Sequence, residues 1–165
     1  MTTSPATLYE TDFYAWTRHQ ARELRRLKEL RLNVELDLDH VAEEIGDLGS
    51  AVRKSVRSQV CRVLEHFLKL RFSPSSNPRR AWRLSIAEAR RELKDDLTGA
   101  LRRDARAKLK HLYAEARRMA ILSLEEYAEE EAARLLPETC PWTLDDVLRD
   151  DWYPKSSLPP LPPTP

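Results

Sequence analysis

The sequence predicts an all-α fold: an antiparallel bundle of four principal helices with short helical pieces near the C-terminus. Three observations predict it. Only three glycines occur in 165 residues, and charged residues make up 33% of the chain. With Ala, Leu, Glu and Arg dominating the rest, this composition favours helix over sheet. Second, Val41, Ile45, Leu48, Val52, Val56, Val60, Val63, Leu64, Phe67 and Leu68 step by three or four, which is one face of a helix and not strand alternation. Third, an unbroken helix from Asp37 to Phe72 would be about 50 Å long. It could not bury its own stripe, so other helices must pack along it.

The first helix is predicted over roughly 11–31. Tyr9, Phe13, Trp16, Gln20, Leu24, Leu27 and Leu30 keep a helical period. Thr11 or Asp12 supplies the N-cap, and Arg25, Arg26, Lys28 and Arg31 suit the far end of the dipole. The aromatic opening is expected to anchor in the core, and Asn33 can take the left-handed conformation that ends a helix. Asp37 is the expected cap of the second helix, with Asp39, Glu43 and Glu44 in its first two turns. Gly46 and Gly49 mark either a close approach by another helix or a break, and a kinked but continuous path is favoured. Ser73-Pro-Ser-Ser-Asn-Pro78 reads as a loop.

A third helix is expected from Pro78, Arg79 or Arg80, with Trp82, Ile86, Ala89, Leu93 and Leu97 on its apolar face. After Thr98-Gly99, Leu101, Ala105, Leu109, Leu112, Ala116, Met119 and Ala120 mark a fourth. Ser123-Leu-Glu-Glu126 and Thr143-Leu-Asp-Asp146 match the capping box. The first would restart a helix or merge with the fourth, and the second would open a short one. Residues 8–153 are expected to form one helical domain. The tail 154–165, with six prolines, is expected to be extended or disordered.

No apolar run reaches membrane-spanning length, and Met1 to Leu8 lacks a secretory pattern, so a cytoplasmic protein without membrane contact is expected. Cys61 and Cys140 are then expected to be free thiols. The net charge of +1 hides an asymmetry: residues 50–110 carry +11, against −4 before them and −6 after. A basic middle could meet a polyanion. The flanks nearly cancel it, which favours acidic ends folding back over a basic centre.

Several blocks together resemble a known family. They are Tyr9-Glu-Thr-Asp-Phe-Tyr-Ala-Trp16, the His-Val-Ala-Glu-Glu-Ile-Gly-Asp-Leu-Gly run within Leu38 to Gly49, Leu64-Glu-His-Phe-Leu-Lys69, Trp82 to Leu93, and Cys140-Pro-Trp-Thr-Leu-Asp-Asp-Val-Leu148. They occur in the order found in the bacterial domain of unknown function 29 family. The resemblance implies an all-helical fold and no established activity, so it carries over no catalytic residues. The proline tail lies outside it.

Four constellations bear on chemistry. His40, Glu43, Glu44 and Asp47 share neighbouring helical ridges, as metal ligands would. No Glu-x-x-His occurs before any histidine, so the ligand count fails and neither metal nor cofactor is called for. Arg106 and His111 match the loose Arg-x4-His pattern of some helical ribonucleases, with Arg for phosphate and His for proton transfer. Arg62 and His66, four apart, sit among core positions, where a packed histidine is favoured. Arg79, Arg80 and Arg83 are candidate polyanion contacts, while Trp82 is expected in the core. Arg90 or Arg91 is expected to pair with Glu43, Glu44 or Asp47. With no complete catalytic constellation, the first expectation is a non-catalytic interaction or regulatory module with a protein partner. A nucleic-acid-binding protein or a ribonuclease-like enzyme using Arg106 and His111 is the alternative, and self-association stays open.

Overall fold

The side chain of Asp12 starts two helices. Its Oδ1 accepts the Ala15 backbone N–H at 3.0 Å and the Thr98 hydroxyl at 2.8 Å, and its Oδ2 accepts the Ala100 backbone N–H at 2.9 Å. These contacts cap α2 (Phe13–Glu29) and α5 (Gly99–Glu126), whose first backbone donors have no partner inside the helix. The computed structural model describes residues 4–30 and 34–157. The remaining elements are α1 (Pro5–Thr11), α3 (Leu38–Phe72), α4 (Arg79–Asp96), α6 (Glu130–Arg134) and α7 (Leu144–Leu148). The described residues contain no strand. The all-α class and the four principal helices expected from the sequence are present as α2, α3, α4 and α5. The chain divides into two compact units: Met1–Val56 with Asp96–Asp104, and Arg57–Asp95 with Ala105–Pro165.

In the first unit Ser4 caps α1 and Asp12 caps α2, while Asp37 caps α3 by accepting the His40 backbone N–H at 3.2 Å. Helix α3 runs through Gly46 and Gly49 without a break. The two glycines differ. A Cβ on Gly49 would lie 2.1 Å from the Thr17 Oγ1, whereas one on Gly46 would meet nothing within 4 Å. Gly49 is therefore where α2 comes closest to α3, over the fully buried Thr17, whose hydroxyl donates to the Tyr14 carbonyl at 2.8 Å.

That contact shifts the buried face of α2 from the one expected. Tyr14, Thr17 and Ala21 are its buried residues, because small side chains opposite a glycine let the backbones approach. The larger Tyr9, Phe13 and Trp16 pack on one another at ring-centroid distances of 4.9–5.8 Å, and Tyr9 and Leu27 stay exposed. Val41 and Leu48 of the expected α3 stripe are exposed too, while Ala42 is fully buried. The expected helix end at Asn33 lies outside the described residues, as do residues 158–165 of the proline-rich tail.

The core of the second unit takes Val60, Val63, Leu64, Phe67 and Leu68 from α3, Ile86, Ala89 and Leu93 from α4, and Leu112, Tyr113, Ala116 and Leu124 from α5. Trp142 and Trp152 close on Phe67 edge-on, with centroids at 5.2 and 5.4 Å. The capping box at Thr143 forms, with Thr143 and Asp146 each satisfying the other's backbone N–H. The one expected at Ser123 does not restart a helix, since α5 continues to Glu126. The break falls three residues after Leu124, where Tyr127 and Ala128 turn the chain and Ala128 adopts φ 57°.

Arginines end several helices of this unit. Arg90, only 3% exposed, donates to the carbonyls of Asp146, Val147 and Trp152 at 3.2, 2.8 and 3.0 Å. Arg79 donates to that of Leu70 in the last turn of α3 and to those of Ser73 and Ser75 just beyond it, and Arg117 to that of Leu136 just beyond α6. These carbonyls lie in the last turns of helices or in the segments that follow, where carbonyls lack the usual intrahelical donor.

The two glycines give a paired test. Gly49→Ala should cost about 2 kcal/mol, because a methyl group cannot enter the Thr17 contact without displacing a helix. Gly46→Ala should gain about 0.5–1 kcal/mol from reduced backbone freedom in the unfolded chain. Thermal unfolding followed by circular dichroism reads both. Equal effects at the two positions would contradict the close approach.

Candidate binding groove

Helix α2 carries Arg18, Arg22 and Arg25 at i, i+4 and i+7, which places them on one ridge. Within the same unit, α3 carries Glu43, Asp47 and Ser50 at the same spacing. Between them lies a groove of about 640 Å3, floored by Tyr14, Ala21 and Gly46, with Arg26 and Glu29 toward one end. The missing side chain of Gly46 leaves the floor open, since nothing stands within 4 Å of where its Cβ would be.

The groove charges are largely without partners. Arg18 lies over the Tyr14 ring at 6.0 Å, and Arg26 reaches Glu23 at 3.8 Å. Arg22, Arg25, Glu43 and Asp47 make no hydrogen bond or ion pair among the described residues. Rows of opposite charge therefore face each other across open space. Exposed opposite charges of this kind steer a complementary ligand and fix its orientation more than they add to affinity.

The other polar positions singled out in the sequence are placed elsewhere. His40 is bound to Asp37 at 2.5 Å. That hydrogen bond raises the imidazole pKa and lowers that of the carboxyl. Glu44 is exposed and does not line the groove. No cluster of three or more His, Cys, Asp or Glu side chains among the described residues could hold a metal. Arg106 is forked onto both oxygens of Asp145, at 3.1 and 3.2 Å, and His111 faces Glu115 at 3.8 Å. Each has its own carboxylate.

Arg79 is taken up by carbonyls, Arg83 lies over the Tyr153 ring at 5.4 Å, and Arg80 is exposed. The carboxylate partner expected for Arg90 is replaced by backbone carbonyls, because its helix position is buried under the C-terminal segment. Trp82, expected in the core, is half-buried and lies beside the Lys69 ammonium. Both cysteines are thiols: Cys61 is pushed up to about 12 by burial and by Glu115, and Cys140 is raised by burial. Both shifts favour the protonated thiol over the thiolate. Arg18 and Arg22 were missed in the sequence reading. Their i, i+4, i+7 spacing with Arg25 was the available signal.

A family model, Domain of unknown function DUF29, matches residues 8–153. The chain belongs to this family. A solved structure, of an alpha-helical protein of unknown function from Rhodospirillum rubrum ATCC 11170, is 24% identical, with 92% of each chain covered and a TM-score of 0.77. That likeness concerns the fold. No curated protein matches the chain. No helix among the described residues is long and apolar enough to cross a membrane.

One titratable group of the second unit gives a pH test. His66 Nε2 lies 3.0 Å from the Ser85 hydroxyl, and Nδ1 is buried without a partner among the described residues. Burial, then Lys69, pulls its pKa from 6.5 to about 4. Above pH 6.5 the ring is neutral in the folded and unfolded chains alike. Below it the unfolded chain takes up a proton that the folded chain refuses until about pH 4, so stability falls across that window. The loss should be on the order of 2 kcal/mol. Urea unfolding at stepped pH should show it, and His66→Gln should flatten the slope. An unchanged slope in the variant would assign it to other groups.

Proposed function

We propose that this DUF29 protein is a non-catalytic interaction module whose α2–α3 groove receives a protein segment carrying both charge signs. The observation that supports this most is the arginine ridge Arg18, Arg22 and Arg25 facing Glu43 and Asp47 across a groove of about 640 Å3. Acidic side chains of a partner would meet the arginines, and its basic side chains would meet the carboxylates. A helix or extended peptide with charged residues on two edges fits such a surface. The carboxylates also favour protein over nucleic acid: a phosphate backbone drawn to the arginines would lie beside Glu29, Glu43 and Asp47, and like charges at that range repel.

Separate carboxylate partners for Arg106 and His111, and protonated thiols at Cys61 and Cys140, weigh against an assembled catalytic site. The reading is tested by affinity capture from the native host with the wild type and with the double variant Arg22→Glu, Arg25→Glu. The expected result is one protein retained by the wild type, lost by at least about tenfold in the variant, with thermal stability unchanged. Capture of RNA or DNA that leaves in proportion to salt would instead support nucleic-acid binding. A protein partner retained equally by the variant would move the interface off the groove.

A further inference from the structure

A second cavity, of about 430 Å3, lies wholly within the second unit, where the end of α3, the start of α4 and the α5–α6 turn meet. Its apolar walls are Pro78, the half-buried Trp82, the buried Leu124 and Tyr127, which is 72% exposed. The charged groups that border it are matched by the protein itself. The Lys69 ammonium, on a side chain almost wholly buried, is held 2.7 Å from Glu65 Oε1. Glu129 accepts the Ser75 hydroxyl and interacts electrostatically with Arg79. What remains is a surplus of donors. Lys69 gives one of its three N–H groups to Glu65 and lies 5.6 Å from the centre of the Trp82 ring. The side chains of Asn77 and Ser123 and the Trp82 indole N–H have no acceptor among the described residues. Such a surface fits a ligand that is neutral, apolar and rich in acceptors.

The residues that follow Ser157 in the sequence have this chemistry, and the chain arrives beside the cavity. Ser157 donates its backbone N–H and its hydroxyl to the Arg71 carbonyl, each at 2.8 Å. The Ser156 hydroxyl accepts from Arg79 at 3.3 Å. The same guanidinium donates to the carbonyl of Ser75, a residue of the cavity wall. One side chain therefore joins the last described residues to the rim of the cavity. The sequence continues Leu158-Pro-Pro-Leu-Pro-Pro163. These six residues carry no charge, and four of them are prolines, which keep the backbone acceptor and lack the donor. Proline-rich segments advance about 3 Å per residue in the polyproline II form, with their carbonyls free, and dock on grooves lined by aromatic side chains.

We infer that Leu158–Pro163 of the same chain seats on this cavity, its proline rings against Trp82 and Tyr127 and its carbonyls accepting from Lys69, Asn77 and the Trp82 indole. A charged occupant gains little, because Lys69 and Glu129 are each matched already. The same segment of a second copy is at a disadvantage. A segment tethered next to its site is present at an effective concentration in the mM range, so an intrinsic Kd of about 1 mM is enough for substantial occupancy. This contact lies within the second unit and does not depend on the reading of the α2–α3 groove.

The test compares the full chain with its fourfold variant Pro159→Ser, Pro160→Ser, Pro162→Ser, Pro163→Ser by 1H–15N correlation spectra. The Trp82 indole N–H, the Asn77 side-chain amide and the Tyr127 amide should differ between the two proteins. Nuclear Overhauser contacts from the Trp82 ring to proline ring protons should appear in the wild type alone. A synthetic peptide of residues 158–165, acetylated and amidated, is then added to each protein. In the variant it should move the same signals back toward their wild-type positions, saturably, with a Kd of about 1 mM or tighter. The wild type should bind it about twofold or more weakly, because its own segment competes. Unchanged Trp82 and Tyr127 signals in the variant, or equal peptide binding by both proteins, would overturn the assignment. So would wild-type signals that move with protein concentration, which would put the segment on a second copy.

Discussion

The buried guanidinium of Arg90 is the interaction on which the second unit depends. It stacks between Phe67 and Tyr153, at 5.4 and 5.5 Å, and donates to three backbone carbonyls of the C-terminal segment. Two of them, from Asp146 and Val147, belong to α7, a helix of five residues whose C-cap N–H, from Arg149, reaches only the Asp146 carbonyl, so Arg90 supplies what the short helix lacks. A chain made of helices must end each of them, and the common device is a glycine in the left-handed conformation. This chain has three glycines, and none described adopts positive φ. Arg79, Arg90 and Arg117 do the same work from a distance, by donating into carbonyls at or just beyond the ends of α3, α7 and α6.

That division gives a different meaning to an arginine-rich sequence. An arginine that donates to buried carbonyls cannot also hold a phosphate, so not every positive charge over residues 50–110 is available to a polyanion. Arg79 and Arg90 come from that region, and both are occupied internally. Arg22 and Arg25 come from the acidic first segment, yet they face an open groove. Local charge density thus pointed away from the ridge, and only the position of each guanidinium relative to carbonyls and cavities separates the two groups.

Much of the fold was legible in the sequence. The apolar ladder gave α3 its limits, Asp37 and Thr143 cap helices as their chemistry requires, and Ser73 to Pro78 interrupts the chain as turn residues do. What was hidden has a common cause. The buried face of α2 is set by Thr17 and Ala21 against Gly49, and small residues leave no hydrophobic signal. At Ser123, where the sequence allowed either a restart or a merger with the fourth helix, packing of Ala120 and Leu124 carries α5 through to Glu126. The partners of Arg79 and Arg90 are carbonyls, which every residue carries, so no side-chain pattern could reveal them. The groove depends on Gly46 facing open space while Gly49 faces Thr17, a difference that two glycines three residues apart do not carry in the sequence.

The measurement that tests this account most directly compares Arg90→Met with Arg22→Met by urea unfolding. Arg90→Met takes a donor from three carbonyls, of which only that of Asp146 keeps another, the Arg149 backbone N–H, and should lose about 3 kcal/mol, with the amides of residues 144–153 losing hydrogen-exchange protection first. Arg22→Met should leave the unfolding midpoint unchanged. Equal stability of the two variants, or a larger loss at Arg22, would contradict the division between arginines that end helices and arginines that line the groove.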